Sequence, residues 1–248
     1  TWFSSALSPF ALQNWPDVND PYFKRYYPTS LLVTAYDIIF FWVARMAFQA
    51  VHFTGKMPFK DCFIHGLVRD EFGRKMSKSL GNGIDPIDVV KEYGVDSLRY
   101  ALATTVTPGL DMSFGMDKIK SASTFLNKIW NASRYILINL GDDFEPLEDV
   151  SKLKLSAADQ YLYKNFNSTI EAVKKNMDKY ELGQASKYLY NFIYDIFCSN
   201  YIEFAKIDLK KDEERVNVVK NVLYDVLKRL LIALFPFTPF IAEDIYLH

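Results

Sequence analysis

Four side chains able to handle phosphate stand within five positions, Lys75-Met76-Ser77-Lys78-Ser79, in a stretch bounded by Gly73 on one side and by Gly81 and Gly83 on the other. A lysine ammonium is a compact, mobile cation, while serine hydroxyls and loop N–H groups add hydrogen bonds, so the set suits the phosphates of a nucleotide. The glycines would let the loop close over a ligand and reopen. An ordinary solvated turn can have the same composition, so the reading depends on where the loop sits. Cys62, Cys198, His52, His65 and His248 are too few and too scattered for a disulfide framework or a metal cluster. No metal site is expected.

Two short apolar segments, residues 31–35 and 62–68, have the β-branched character of buried strands, and residues 38–53 between them are long and periodic enough for a helix. The arrangement is a βαβ unit. Such units build parallel sheets with right-handed crossovers, and ligands bind outside the carboxyl ends of the strands. Tyr36 and Asp37 follow the first strand, and the lysine-serine loop follows the second. Farther on, Asp85-Pro86 starts a short helix and Gly94 stops it, with Ile87, Val90 and Tyr93 as its apolar side. A second helix is predicted over 96–104, and Pro108-Gly109 then breaks the chain.

The remainder has little Gly or Pro and repeats apolar residues every three or four positions. One helix carries Phe125, Ile129, Trp130, Ile136, Leu137 and Leu140 on one side, with the small Ser133 among them, and stops at Gly141. The next opens on Ser156-x-x-Asp159 and repeats Leu162, Phe166, Ile170, Val173 and Met177. Two more are predicted over 184–205 and 216–235. Stripes of this kind are the core of a helical bundle.

The 248 residues are 50% apolar with a net charge of −1, which excludes disordered and collagen-like chains. The longest apolar runs, 38–44 and 230–237, fall well short of the roughly 20 residues that span a bilayer, so no membrane association is expected. Two unpatterned cysteines and no visible leader suit a cytoplasmic protein. Near-zero net charge argues against a dedicated nucleic-acid binder unless basic faces are local. The chain opens on Thr1-Trp2-Phe3 with no initiator Met, and a piece of a longer protein is expected.

The pentapeptide resembles the signature loop of class I aminoacyl-tRNA synthetases, and its context, after a strand of a parallel unit and before a helical region, is the one that the motif requires. The stretches Thr1-Trp2-Phe3-Ser4-Ser5-Ala6-Leu7, Tyr36-Asp37-Ile38-Ile39-Phe40-Phe41-Trp42-Val43-Ala44-Arg45-Met46, His65-Gly66-Leu67-Val68-Arg69-Asp70 and Asn127-Lys128-Ile129-Trp130-Asn131-Ala132-Ser133-Arg134 resemble the valyl-tRNA synthetase family nearly end to end. Isoleucyl and leucyl relatives differ around Trp2 and Trp42. The resemblance implies the second half of an α/β Rossmann-type parallel sheet (1–118) followed by an all-α anticodon-binding bundle (119–248), mainly helical overall. It implies an enzyme that joins valine to tRNA(Val) using ATP, with Mg2+ accompanying the ATP, and that acts as a monomer. By that resemblance Lys75 and Lys78 supply positive charge to the phosphates, Ser77 and Ser79 help to hold them, and His65 and Gly66 lie against adenosine. Trp2, Ile38 and Trp42 wall the valine pocket. Asp37 is either a substrate contact or a helix cap.

Three departures matter. Ala35 stands where the family usually has Gly; the His-x-Gly-His tetrad is missing, and there is no room for an editing domain, which such enzymes need because an apolar pocket rejects a hydroxyl isostere poorly. The chain alone is therefore expected not to form the adenylate. The alternative is a truncated paralogue that binds tRNA or a protein without catalysis.

Overall fold

The computed structural model describes every residue of the chain except the side chain of Lys78. The backbone divides into two units, Thr1–Met76 with Val106–Ser113 and Ser77–Thr105 with Phe114–His248.

The first unit contains α1 (Trp2–Ala6), α2 (Ser8–Ala11), α3 (Pro21–Tyr26), β1 (Thr29–Ala35), α4 (Ala44–Thr54), β2 (Phe59–His65), β3 (Val68–Arg69) and β4 (Met112–Ser113). Helix α3 begins where expected of an Asp-Pro pair: the Asp20 carboxylate accepts the Tyr22 and Phe23 N–H groups at 2.7 and 3.1 Å. Strands β1 and β2 run parallel from Thr29↔Phe59 to Ala35↔His65, with α4 in the crossover, and β3 pairs with β4, also parallel. Phe10, Phe23, Tyr27 and Ala50 form the apolar centre of this unit, with Leu7 and Trp15 packed against it. The Tyr27 hydroxyl is satisfied there by Thr54 at 2.7 Å.

The single helix predicted over 38–53 is not continuous. The chain passes through a 3-10 turn (Tyr36–Ile38) and a π-helical stretch (Ile39–Val43) before α4 begins, and ends at Gly55 in the left-handed conformation. Ile38-Ile39-Phe40-Phe41-Trp42 is a run of bulky side chains that crowds an ordinary helical turn, and a widened turn relieves the crowding. Ile38 and Trp42 are thus not related by a regular α-helical turn.

The second unit contains α5 (Pro86–Tyr93), α6 (Val95–Thr105), α7 (Met116–Leu140), α8 (Ala157–Met177), α9 (Leu182–Asn191), α10 (Ile202–Asp208), α11 (Glu213–Leu234) and α12 (Pro239–Tyr246). Asp85 caps α5, and Gly94 and Gly141 end α5 and α7, as their spacing predicts. The helix predicted over 184–205 is α9 and α10 joined by a π-helical stretch (Phe192–Tyr201). Helix α12, which begins at Pro239, was not foreseen; its first turn is held by Asp96, whose carboxylate accepts the Ile241 N–H at 2.7 Å. Two predicted core positions face outward. On α5 it is Val89 that is buried while Ile87 is exposed, and on α7 Trp130 is 40% exposed. On α7 the rest of the predicted stripe, Phe125, Ile129, Ser133, Ile136 and Leu140, is buried, and Leu126 joins it.

The Ser156-x-x-Asp159 opening of α8 forms a full capping box, and the same carboxylate does more. Asp159, fully buried, accepts from the Tyr201 hydroxyl at 2.7 Å and pairs with both terminal nitrogens of Arg215 at 2.5 and 3.0 Å. Arg215 also reaches Asp208 at 2.6 Å, so one guanidinium ties together α8, α10 and α11. Burial by itself would raise the Asp159 carboxyl, yet Arg215, Tyr201 and Ser156 hold it below its ordinary value. A pKa lowered on folding stabilises the fold above the unfolded carboxylate pKa and stops doing so as pH falls through the folded one. Arg215→Met should leave the Asp159 charge buried and unpaired at a cost of about 3–5 kcal/mol. Urea unfolding at neutral pH measures that loss, which should shrink toward low pH as Asp159 becomes protonated.

Candidate active site

The Ala35↔His65 register brings the exits of β1 and β2 to the same edge of the sheet, so Tyr36 and Asp37 leave β1 beside the place where Gly66 leaves β2. Asp37 takes part in the 3-10 turn without a side-chain capping bond and instead forms an ion pair with Lys75 at 2.9 Å. Of the two sequence readings for Asp37, the cap is the one that the geometry does not support. His65 donates from Nδ1 to the Gly66 carbonyl at 2.8 Å, since a carbonyl can only accept. Gly66 is buried against the chain's own backbone: a Cβ there would sit 2.0 Å from the Leu110 oxygen. Its lack of a side chain is required by residues 110–111, whether or not a ligand also approaches.

From β3 the chain makes a tight hairpin that delivers Lys75. The Asp70 carboxylate accepts the Phe72 and Arg74 N–H groups at 3.1 and 2.8 Å and pairs with the Arg74 side chain at 2.8 Å. Gly73 supplies the left-handed residue of the turn, φ 77°. The hairpin closes when Arg69 bridges Lys75 and Met76 N–H donates to the Val68 carbonyl at 3.2 Å. A second network braces it. Asp111 accepts the Leu67 N–H at 2.8 Å and holds Arg69 through Nε and a terminal nitrogen, both at 2.5 Å, and Arg69 donates to the Gly73 carbonyl at 3.0 Å. The Leu67 N–H, Arg69 and the Tyr36 hydroxyl together hold the Asp111 carboxyl below its usual range against its partial burial. The bond to Asp111 pushes the Tyr36 phenol up.

Ser77 and Ser79 belong to the second unit. Their hydroxyls are 3.1 Å apart, the Ser77 hydroxyl accepts the Leu80 N–H at 3.3 Å, and the Ser77 N–H donates to the Asn82 side-chain oxygen at 3.0 Å. The side chain of Lys78 lies outside the described residues. The three residues read as pocket walls are not core: Trp2, Ile38 and Trp42 are 47%, 37% and 36% exposed. Trp2 lies under the Arg45 guanidinium, 4.8 Å from its ring centre. Among the described residues no group of three or more His, Cys, Asp or Glu side chains is placed to hold a metal ion, and no helix is long and apolar enough to cross a membrane.

Residues 1–115 match the family of class I tRNA synthetases (I, L, M and V), and residues 159–248 match the anticodon-binding domain of tRNA ligases. The valine–tRNA ligases of Bacillus licheniformis and Staphylococcus epidermidis are each 54% identical to the chain, over 100% and 99% of its length. The chain belongs to the class I tRNA synthetases. It spans 28% of the length of these curated relatives. In fold, it is similar to a Mycobacterium tuberculosis methionyl-tRNA synthetase bound by methionyl-adenylate, with TM-score 0.80 at 23% identity over 98% of this chain and 48% of that one. It is likewise similar to the LeuRS–tRNA–LeuAMS ternary complex of Agrobacterium radiobacter K84, with TM-score 0.76 at 20% identity over 99% of this chain and 30% of that one. The predicted architecture, part of a parallel sheet followed by a helical bundle, is therefore that of the synthetases.

Within this synthetase chain, the sequence singles out Lys75 and Asp37 but not their pairing, and it does not single out Arg69, Asp70 or Asp111, which the structure joins to the hairpin carrying Lys75. Asp70 and Arg74 could have been found from the Asp-x-x-Gly turn pattern. The Arg69–Asp111 pair joins positions 42 apart, and nothing local marks it. The glycine requirement at residue 66 gives a direct check: Gly66→Ala should force two backbone segments apart and cost about 1–3 kcal/mol or more. Thermal unfolding of the variant beside Gly83→Ala, where a Cβ meets nothing within 4 Å, separates that clash from the general effect of replacing glycine.

Proposed function

We propose that this chain forms the phosphate-handling edge of the catalytic domain and the RNA-holding bundle of a valine–tRNA ligase. The observation that carries the reading is the 54% identity to valine–tRNA ligases along the whole chain, in which the Lys75–Ser79 signature and the half-exposed Trp2, Ile38 and Trp42 coincide. In the proposed reaction a carboxylate oxygen of valine attacks the α-phosphorus of ATP and pyrophosphate leaves with the broken P–O bond's electrons. A ribose hydroxyl at the 3′ end of tRNA(Val) then attacks the acyl carbon, loses its proton, and expels AMP. Magnesium enters with ATP as part of the substrate.

Such a displacement asks little covalent chemistry of the protein; positioning and charge do the work. Lys75 and Lys78 offset charge on the phosphoryl oxygens, with Ser77 and Ser79 adding hydrogen bonds, and these four are the residues we assign to catalysis. The Asp37 carboxylate holds Lys75 at the sheet edge and orients it until phosphate oxygens compete for the ammonium. His65 and Gly66, at the end of β2, form the surface for adenosine. Trp2, Ile38 and Trp42 supply apolar walls for a small branched side chain, and their exposure suits a ligand surface better than a core. Helices α7 to α12 hold the anticodon arm, and cytoplasmic, monomeric action follows from the same reading.

The test is valine-dependent ATP–pyrophosphate exchange in a full-length ligase carrying this chain. Lys78→Ala should lower the exchange rate by about 100-fold or more, with the KM for valine changed by less than about threefold because the lysine acts on phosphate rather than on the amino acid. Unchanged exchange by a folded Lys78→Ala enzyme would overturn the assignment.

A further inference from the structure

The hairpin that delivers Lys75 is braced from outside the signature loop, and the bracing residues have no role in the reading above. Arg69 stands on β3 at the base of the hairpin. Its Nε and one terminal nitrogen grip Asp111, and the other terminal nitrogen donates to the carbonyl of Gly73 at the hairpin turn at 3.0 Å. Asp111 is anchored in turn by the Leu67 N–H at 2.8 Å, and Met112, the next residue, pairs with Val68 in the parallel β3–β4 ladder. Tyr36 stands near enough to Asp111 for that carboxylate to push its phenol up, and its neighbour Asp37 holds the Lys75 ammonium at 2.9 Å. All of these residues lie within the first unit.

The β1 exit therefore meets the hairpin at two places: Asp37 pairs with Lys75, and Tyr36 stands beside the Arg69–Asp111 brace. That brace is a planar guanidinium making three directed bonds, two to Asp111 and one to the Gly73 carbonyl, which a lysine ammonium on a flexible stem cannot reproduce. We propose that Arg69 and Asp111 are positioning residues for the reaction: they lock the hairpin of residues 68–76 against the β1 exit and so place Lys75 for the ATP phosphates. The inference rests on the function proposed above. It predicts that the lock acts through Lys75 and not through general stability, because a group that must meet a transferring phosphoryl loses about 100-fold in rate for a misplacement near 1 Å.

A double-mutant cycle in the full-length ligase, read by valine-dependent ATP–pyrophosphate exchange per titrated active site, tests it together with amide hydrogen exchange. Arg69→Lys and Asp111→Asn should each lower kcat by about 10- to 100-fold, with the KM for valine within about twofold. Arg69→Lys combined with Lys75→Ala should be no slower than Lys75→Ala alone, the sign of two residues acting as one unit. In Arg69→Lys the Gly73 and Met76 amides, which are hydrogen-bonded in the closed hairpin, should exchange at least about tenfold faster while the α4 amides stay unchanged. Losses that multiply in the double variant, an unaltered kcat, or unaltered Gly73 and Met76 exchange would overturn the proposal. The hydrogen-exchange arm reads the lock even in a protein without exchange activity, so failure of the ATP reading and failure of the lock are told apart.

Discussion

Parallel pairing of β1 with β2, in the register that sets Ala35 beside His65, is the constraint on which the rest of the site depends. Parallel strands deliver successive carboxyl ends to one edge, and whatever chemistry the loops carry must gather there. Tyr36 and Asp37 leave at that edge from one strand, and His65, Gly66 and the hairpin bearing Lys75 from the other. A shift of one residue in the pairing would turn every side chain of one strand to the opposite face. The close fit of Gly66 against Leu110 adds a second lock on the same register, since the backbone of residues 110–111 approaches only where no side chain stands in the way.

Charge then refines what the backbone sets out. Lys75 is paired with Asp37, Arg74 with Asp70 and Arg69 with Asp111, so each cation of the hairpin has a carboxylate in the first unit. The pairs are partly exposed, and as isolated contacts they would contribute little stability. Their value is geometric: they fix which way the hairpin faces and where its lysine stands. The bundle uses charge differently. Asp159 is buried completely and satisfied by Arg215, Tyr201 and Ser156, an arrangement that ties three helices together and is costly to break from either side.

Local chemistry was legible from the residues alone. Asp85-Pro86, Gly94, Gly141 and the Ser156–Asp159 box act where their spacing says, because a cap or a stop involves residues within four positions of one another. The signature loop and its place after a parallel strand were legible for the same reason. What escaped was either distant in sequence or a matter of helical phase. Asp111 meets Arg69 across 42 positions and Arg215 meets Asp159 across 56; periodicity carries no information about such partners. The run from Ile38 to Trp42 has a helical pattern, but its bulk widens the helix, so the four-residue spacing taken to align Ile38 with Trp42 does not describe an α-helical face there. Trp130 sits on the flank of a correctly placed helix, one of the cases in which an apolar stripe is broader than the surface that covers it.

Fold and amino-acid choice rest on different observations. The same backbone occurs in a methionyl-tRNA synthetase and in a leucyl complex at 23% and 20% identity, so the architecture by itself is silent on the amino acid. The valine reading stands on the sequence relatives, valine–tRNA ligases 54% identical along the whole chain. The most direct measurement is therefore ATP–pyrophosphate exchange by a full-length ligase carrying this chain, compared across valine, isoleucine, leucine and methionine under identical conditions. The account predicts the highest kcat/KM with valine. A preference for isoleucine, leucine or methionine would contradict it.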